Sequence, residues 1–271
     1  MDRFTRFEHD GWQGVADKYD SVWSSSTRQF IPPLLEATEV SAKMSILDVG
    51  CGPGYVSAAA AAERGAAPIG LDFSGEMIGI AKQMFPQIEF REGDAQKLPF
   101  ADNSFDRVLA SFALLHLAEP ERACAEACRV LKPGGRFGFT TWAHVAENPF
   151  VKLVDDAIQA HANLDVGLPE GPPYYLFASP NEFRKALERA GFDGASMSFK
   201  VHTIEWKIPS ARFIFEAELK AGVRTAGLLA RQTPETLNAI RVAIEKAVRP
   251  YARGNNFAIP KAAYIIAAQK N

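Results

Sequence analysis

The sequence predicts an α/β protein built on a doubly wound, mostly parallel sheet. Short apolar runs end at glycine turns, and alanine-rich or amphipathic helices separate them. The alternation repeats without a break from about residue 43 to residue 143. A strand–helix–strand repeat implies right-handed crossovers, and such crossovers leave the strands parallel. "SILDV" reads as a buried strand. "YVSAAAAAERG" is a helix closed by Gly65. "APIGLD" is the second strand, and "SGEMIGIAKQMF" is a helix capped by Ser74 and ended before Pro86. "IEFREGD" and "FDRVLAS" follow as strands three and four. "PERACAEACRVL" is a helix expected to stop at "KPGG", and "RFGFTTW" is the fifth strand.

The flanks read differently. Residues 1–43 have the pattern of polar helices, the last opened by Pro32 and Pro33. They are assigned to an N-terminal helical cap. Ser179, Pro180 and Glu182 have the spacing of a capping box, with Gly191 closing that helix. "ASMSFKVHTIEW" and "NFAIPKAAYIIAAQK" are expected strands. Between them, Leu237, Ile240, Ile244 and Val248 share one face of a helix stopped by Pro250. The expected organisation is a main domain of residues 44–206 and 253–271, with 207–252 inserted as helices contributing to a substrate cap.

Composition narrows the function. A net charge of −2 gives no basic footprint for nucleic acid. The opening "MDRFTRFEHD" lacks the apolar core of a secretory leader, and no apolar run reaches the length of a membrane span. Cys51, Cys124 and Cys128 do not make a disulfide framework, and the pair on the helix has no further ligands nearby for a metal. A reduced, cytoplasmic protein without a metal is expected.

The informative stretch is "DVGCGPG" with Asp72 ending the second strand. In a parallel sheet such a loop lies at the ligand-binding edge, and glycines let the backbone approach a ligand closely. A carboxylate at the end of the second strand suits the two hydroxyls of a ribose. A dinucleotide fingerprint requires a small residue where Tyr55 stands, and no Lys-Ser or Lys-Thr completes a phosphate-binding loop. A nucleoside without a pyrophosphate is therefore implied, and a nicotinamide-dependent oxidoreductase is disfavoured.

"ILDVGCGPG", "IGLDFSGEMI", "EGDAQKLPFADNSFDRVLASFALLHL" and "RVLKPGGRFGFTTW" occur in this order. Together they resemble the motifs of class I S-adenosylmethionine-dependent methyltransferases, nearest to the ubiquinone/menaquinone-biosynthesis-like group (methyltransferase type 11). The resemblance spans about 45 to 142. It implies a Rossmann-like, seven-stranded sheet whose last strand is antiparallel, with a helical cap. It places Asp48, Gly50, Cys51 and Gly52 at the methionine end of the cofactor. Asp72 would hold the ribose with Phe73 and Met77 nearby, Asp94 and Ala95 would meet the adenine, and Ser111 and Phe112 would lie near the reactive methyl. Tyr19, in "VADKYD", resembles an aromatic that closes over the cofactor. His116 is the first candidate base and His144 the second. The implied reaction is methyl transfer to a small, partly apolar molecule, with S-adenosylhomocysteine as product. A cofactor-binding sensor or scaffold without methyl transfer is the alternative.

Overall fold

The computed structural model describes residues 1–271. The chain forms two compact units. One gathers residues 1–26, 143–170 and 203–262, and the other residues 27–142, 171–202 and 263–271. These divisions fall at other places than the sequence boundaries at 43, 206 and 252; two of them lie inside the long strands Ser198–Ile208 and Asn256–Gln269, which supply residues to both units.

The sheet contains β1 (Ser45–Val49), β2 (Ala67–Asp72), β3 (Glu89–Glu92), β4 (Phe105–Ser111), β5 (Leu131–Trp142), β6 (Ser198–Ile208), the two-residue β7 (Ala252–Arg253) and β8 (Asn256–Gln269). The strand order is β3-β2-β1-β4-β5-β8-β6, with β7 paired to β8 off this path. Strands β1 to β5 pair in parallel, as the strand–helix alternation predicts, and β8 runs antiparallel to β5, as the resemblance implies. The order reverses between β1 and β4. There the connections leave in opposite directions and open a crevice at the carboxyl ends of the strands.

Local chemistry explains most boundaries. Ile46, Leu47 and Val49 are buried, as a strand covered on both faces requires. The helix Tyr55–Arg64 ends at Gly65, whose φ of 67° is left-handed. The Ser74 hydroxyl caps the helix Gly75–Met84 by accepting from the Met77 amide. Elsewhere the sequence misled. β5 begins at Leu131 and runs through "KPGG", because a register shift between Phe105 and Arg107 of β4 absorbs the irregularity. Ser179 sits at the N-cap of the helix Pro180–Ala190 but makes no side-chain cap bond, and Glu182 instead pairs with Lys185. The helix Pro149–His161, capped by Asn148, has no counterpart in the sequence-based assignment.

The first unit is held by a buried polar cluster. Lys261, on β8, has no solvent exposure. Its ammonium lies 4.6, 4.4 and 4.5 Å from the ring centroids of Trp23, Phe150 and Trp206 and 3.2 Å from the Ser26 hydroxyl. Burial pulls its pKa down to about 7, while the Glu218 carboxylate opposes that shift. Trp23 donates to the Ala221 carbonyl and Trp206 to the Ser25 hydroxyl. Buried Glu8 pairs with Arg224, whose guanidinium lies over Phe4. Thus residues 1–26 are tied to residues 143–170 and 203–262. No helix is long and apolar enough to cross a membrane.

Candidate functional site

After β1 the backbone turns through three glycines. Gly50, Gly52 and Gly54 have φ of 64°, 50° and 87°, a conformation that L side chains rarely adopt. Their surroundings differ. A Cβ on Gly50 would lie 2.4 Å from the Ala113 Cβ, so this glycine permits the loops after β1 and β4 to touch. A Cβ on Gly52 would meet nothing within 4 Å. Bare backbone therefore faces the crevice.

Two buried carboxylates flank that loop. Asp48, inside β1, accepts from the Ser57 amide (3.0 Å) and hydroxyl (2.7 Å) on Oδ2. Its Oδ1 is fully buried and has no hydrogen-bond partner. Burial pushes this carboxyl up to about 7, the Ser57 donors oppose the shift, and the charge of Asp72 adds to it. Asp72 accepts from the Gly52 amide on one oxygen (2.8 Å) and the Ser74 amide on the other (2.9 Å). It thus shapes the glycine loop as well as facing the crevice. Each carboxylate oxygen retains a lone pair for a further donor. Burial raises Asp72 too, against its amide donors and nearby His116. The Cys51 thiol is pushed well up, chiefly by burial.

The other expected residues follow along the strand ends. Phe73 is half-buried and Met77 is buried on the helix after β2. Gly93 donates to the Asp72 carbonyl, which sets Asp94 and buried Ala95 beside the end of β2. Asp94 is exposed and accepts from the amide and side chain of Gln96. After β4, the Ser111 hydroxyl lies 3.2 Å from that of Thr140. Phe112 stacks on Trp142 with centroids 4.0 Å apart. His116 makes an edge contact with Tyr174 at 5.9 Å. Tyr19 and His144 belong to the first unit. Tyr19 packs edge-on against Trp12, and His144 is exposed, its Nδ1 accepting from the Ala146 amide. That bond gives His144 a capping task that the sequence reading did not assign.

Sequence reasoning missed Ser57 and Thr140. A hydroxyl in the first turn of an otherwise alanine-rich helix was a usable signal for Ser57. Thr140 becomes visible only through its register opposite Ser111.

The donor set selects its ligand. Two neighbouring buried carboxylates disfavour a pyrophosphate and favour a cation, and the unpaired Asp48 oxygen suits an ammonium. Asp72 and Asp94 offer acceptors to a diol and an exocyclic amine. The residues present therefore fit a nucleoside that carries an amino-acid end.

Residues 47–139 match the family model described as a methyltransferase domain. A demethylmenaquinone methyltransferase of Renibacterium salmoninarum is 41% identical over 140 residues, covering 50% of this chain and 59% of that protein. One from Paenarthrobacter aurescens is 39% identical over 134 residues, covering 48% and 53%. The chain thus spans little more than half the length of these two relatives. The match is longer to a ubiquinone/menaquinone biosynthesis C-methyltransferase UbiE of Bartonella tribocorum, 31% identical over 216 residues, 68% of this chain and 80% of that one. Among solved structures, YcgJ from Bacillus subtilis superimposes with a TM-score of 0.58 at 19% identity, covering 90% of this chain and 98% of that one. Haemonchus contortus phosphoethanolamine N-methyltransferase 2, in complex with phosphomonomethylethanolamine and S-adenosylhomocysteine, gives 0.59 at 17% identity, covering 100% and 60%. At these identities the two structures speak for the fold.

Proposed function

Because the chain belongs to the class I S-adenosylmethionine-dependent methyltransferases of the ubiquinone/menaquinone-biosynthesis type, we propose that it methylates a small, partly apolar acceptor. The observation that carries this reading is the unpaired, fully buried Asp48 oxygen beside a bare glycine turn. When bound, S-adenosylmethionine supplies an electrophilic methyl carbon on a sulfonium sulfur. Asp48 and the amides of the glycine loop hold the methionine end. Asp72, with Phe73 and Met77, orients the ribose, and Asp94 with the Ala95 amide receives the adenine. Ser111 and Phe112 shape the surface next to the methyl.

The relatives' names point to a hydroxylated aromatic such as a quinol. Such an acceptor suits Tyr174, which meets both His116 and Tyr175 edge to face. An imidazole nitrogen of His116 takes the hydroxyl proton and so raises the oxygen's electron donation into the ring. His144 is the second candidate. A reduced cytoplasmic setting suits the three free, buried thiols.

Calorimetry with S-adenosylhomocysteine tests the reading. At a hundredfold excess over Kd, linkage stabilises the chain by roughly 2.7 kcal/mol, seen as a raised Tm. Radiolabelled methyl should then pass from cofactor to a demethylated naphthoquinol, with a rate that His116→Ala lowers by about a hundredfold or more. Binding of NAD in place of S-adenosylhomocysteine would overturn the cofactor assignment. Tight binding with no transfer to any acceptor offered would favour a sensor.

A further inference from the structure

Four non-glycine residues adopt positive φ: Glu39, Lys43, Asn103 and Phe112. The first three are exposed. Phe112 is different, being an aromatic residue with φ of 54° that is buried directly after β4. A left-handed backbone at such a residue is strained and persists only where its surroundings enforce it.

Those surroundings are on the page. The Phe112 amide is shared between the Thr140 carbonyl (3.2 Å) and the Thr140 hydroxyl (3.0 Å). The same hydroxyl lies 3.2 Å from that of Ser111, so one oxygen contacts both residues that turn the chain out of β4. Thr140 is buried on β5, directly opposite Ser111 in the parallel ladder. The Phe112 ring is fixed by stacking on Trp142 and by an edge contact from Phe30 at 5.3 Å. The turn has a consequence one residue later. Ala113 reaches Gly50 so closely that any side chain at residue 50 would collide with it. Hence the position of the glycine loop depends on the backbone that Thr140 holds.

We propose that Thr140 is a positioning residue for cofactor binding: its hydroxyl holds the left-handed turn at Phe112 that seats Ala113 against the glycine loop. This rests on the assignment of that loop to S-adenosylmethionine. Thr140 acts through Phe112 and needs no contact with the ligand. The hydroxyl is the active part, because valine has nearly the same shape and lacks it.

The test measures S-adenosylhomocysteine affinity by calorimetry for wild type, T140V, T140S and F112G, and for T140V combined with F112G. T140V should weaken binding about three- to tenfold, as expected for one lost hydrogen bond. T140S keeps the hydroxyl and should restore most of the affinity. Glycine adopts positive φ freely, so in the F112G background T140V should cost clearly less than it does alone. A general packing defect at Thr140 would give the same penalty in both backgrounds. If T140V does not fold, T140A replaces it in the same cycle. Unchanged affinity in T140V, an equal loss in T140S, or a penalty that F112G leaves undiminished would each overturn the proposal. A wild-type chain that does not bind S-adenosylhomocysteine at all would remove the cofactor assignment itself, a result separable from the others.

Discussion

Asp48 combines an unpaired buried oxygen with a carboxyl pushed up to about 7. Its folded pKa lies above the ordinary value of 3.8, so the folded chain keeps the proton where the unfolded chain has lost it. The stabilisation is fully present below about pH 4 and is lost as pH rises through about 7. Melting curves without ligand should therefore show Asp48→Asn gaining Tm relative to wild type between pH 5 and pH 8. The same variant should bind S-adenosylhomocysteine about ten- to a hundredfold more weakly, because a neutral amide replaces a charge-assisted acceptor. Parallel melting profiles for the two proteins would mean that Asp48 is ionised throughout. The site was legible at this scale where chemistry leaves a sequence mark: glycines on alternate positions, and acids at the ends of β2 and β3. It was illegible where a residue acts by register or by a borrowed backbone bond. Asp72 looked like a free ribose acceptor, yet it also fastens the Gly52 and Ser74 amides.

Between elements, the contact of Gly50 with Ala113 joins the loop after β1 to the loop after β4. Gly50→Ala introduces both a left-handed alanine, at roughly 1–2 kcal/mol, and a collision of methyl groups. Adding Ala113→Gly removes the collision but leaves the backbone strain. The double variant should therefore recover part, and not all, of the lost Tm and cofactor affinity, as thermal melts and titrations will show. Full additivity of the two changes would mean that the loops do not touch. The parallel block was readable because β1, β2 and β4 are short, largely apolar runs that end at turns, a pattern fixed by local sequence. Strand order was not readable from periodicity, because it is settled by pairing across the sheet. β5 hid its start because Pro133 and Gly134 read as a stop, yet the shift in register beside β4 lets the strand pass through them. The helix Pro149–His161 carried its own cap in Asn148, and attention to that Asn-Pro pair would have found it.

For the molecule as a whole, Lys261 is the least expected residue. It stands in an apolar strand, and partners from residues 23, 26, 150, 206 and 218 enclose it. Lys261→Met should destabilise the chain, on the order of 3–5 kcal/mol for breaking a buried pair from one side. The loss should be greater at pH 8 than at pH 5. Lys261, its pKa pulled down to about 7, costs the folded wild type a buried charge at pH 5 and sheds that cost as pH rises to 8, a gain the variant lacks. Adding Glu218→Gln should restore much of the Tm at pH 8, and failure to do so would separate the two residues energetically. The cage also has a history in time. Ser25 waits for Trp206, Trp23 for Ala221 and Ser26 for Lys261, separations of 181, 198 and 235 residues. At the pace of synthesis, about 5–20 residues per second, the tryptophan-bearing segment ahead of β1 leaves the ribosome roughly ten to fifty seconds before its partners. The parallel strands can assemble in that interval while this segment has nothing to close on, which makes it the part of the nascent chain most in need of a chaperone.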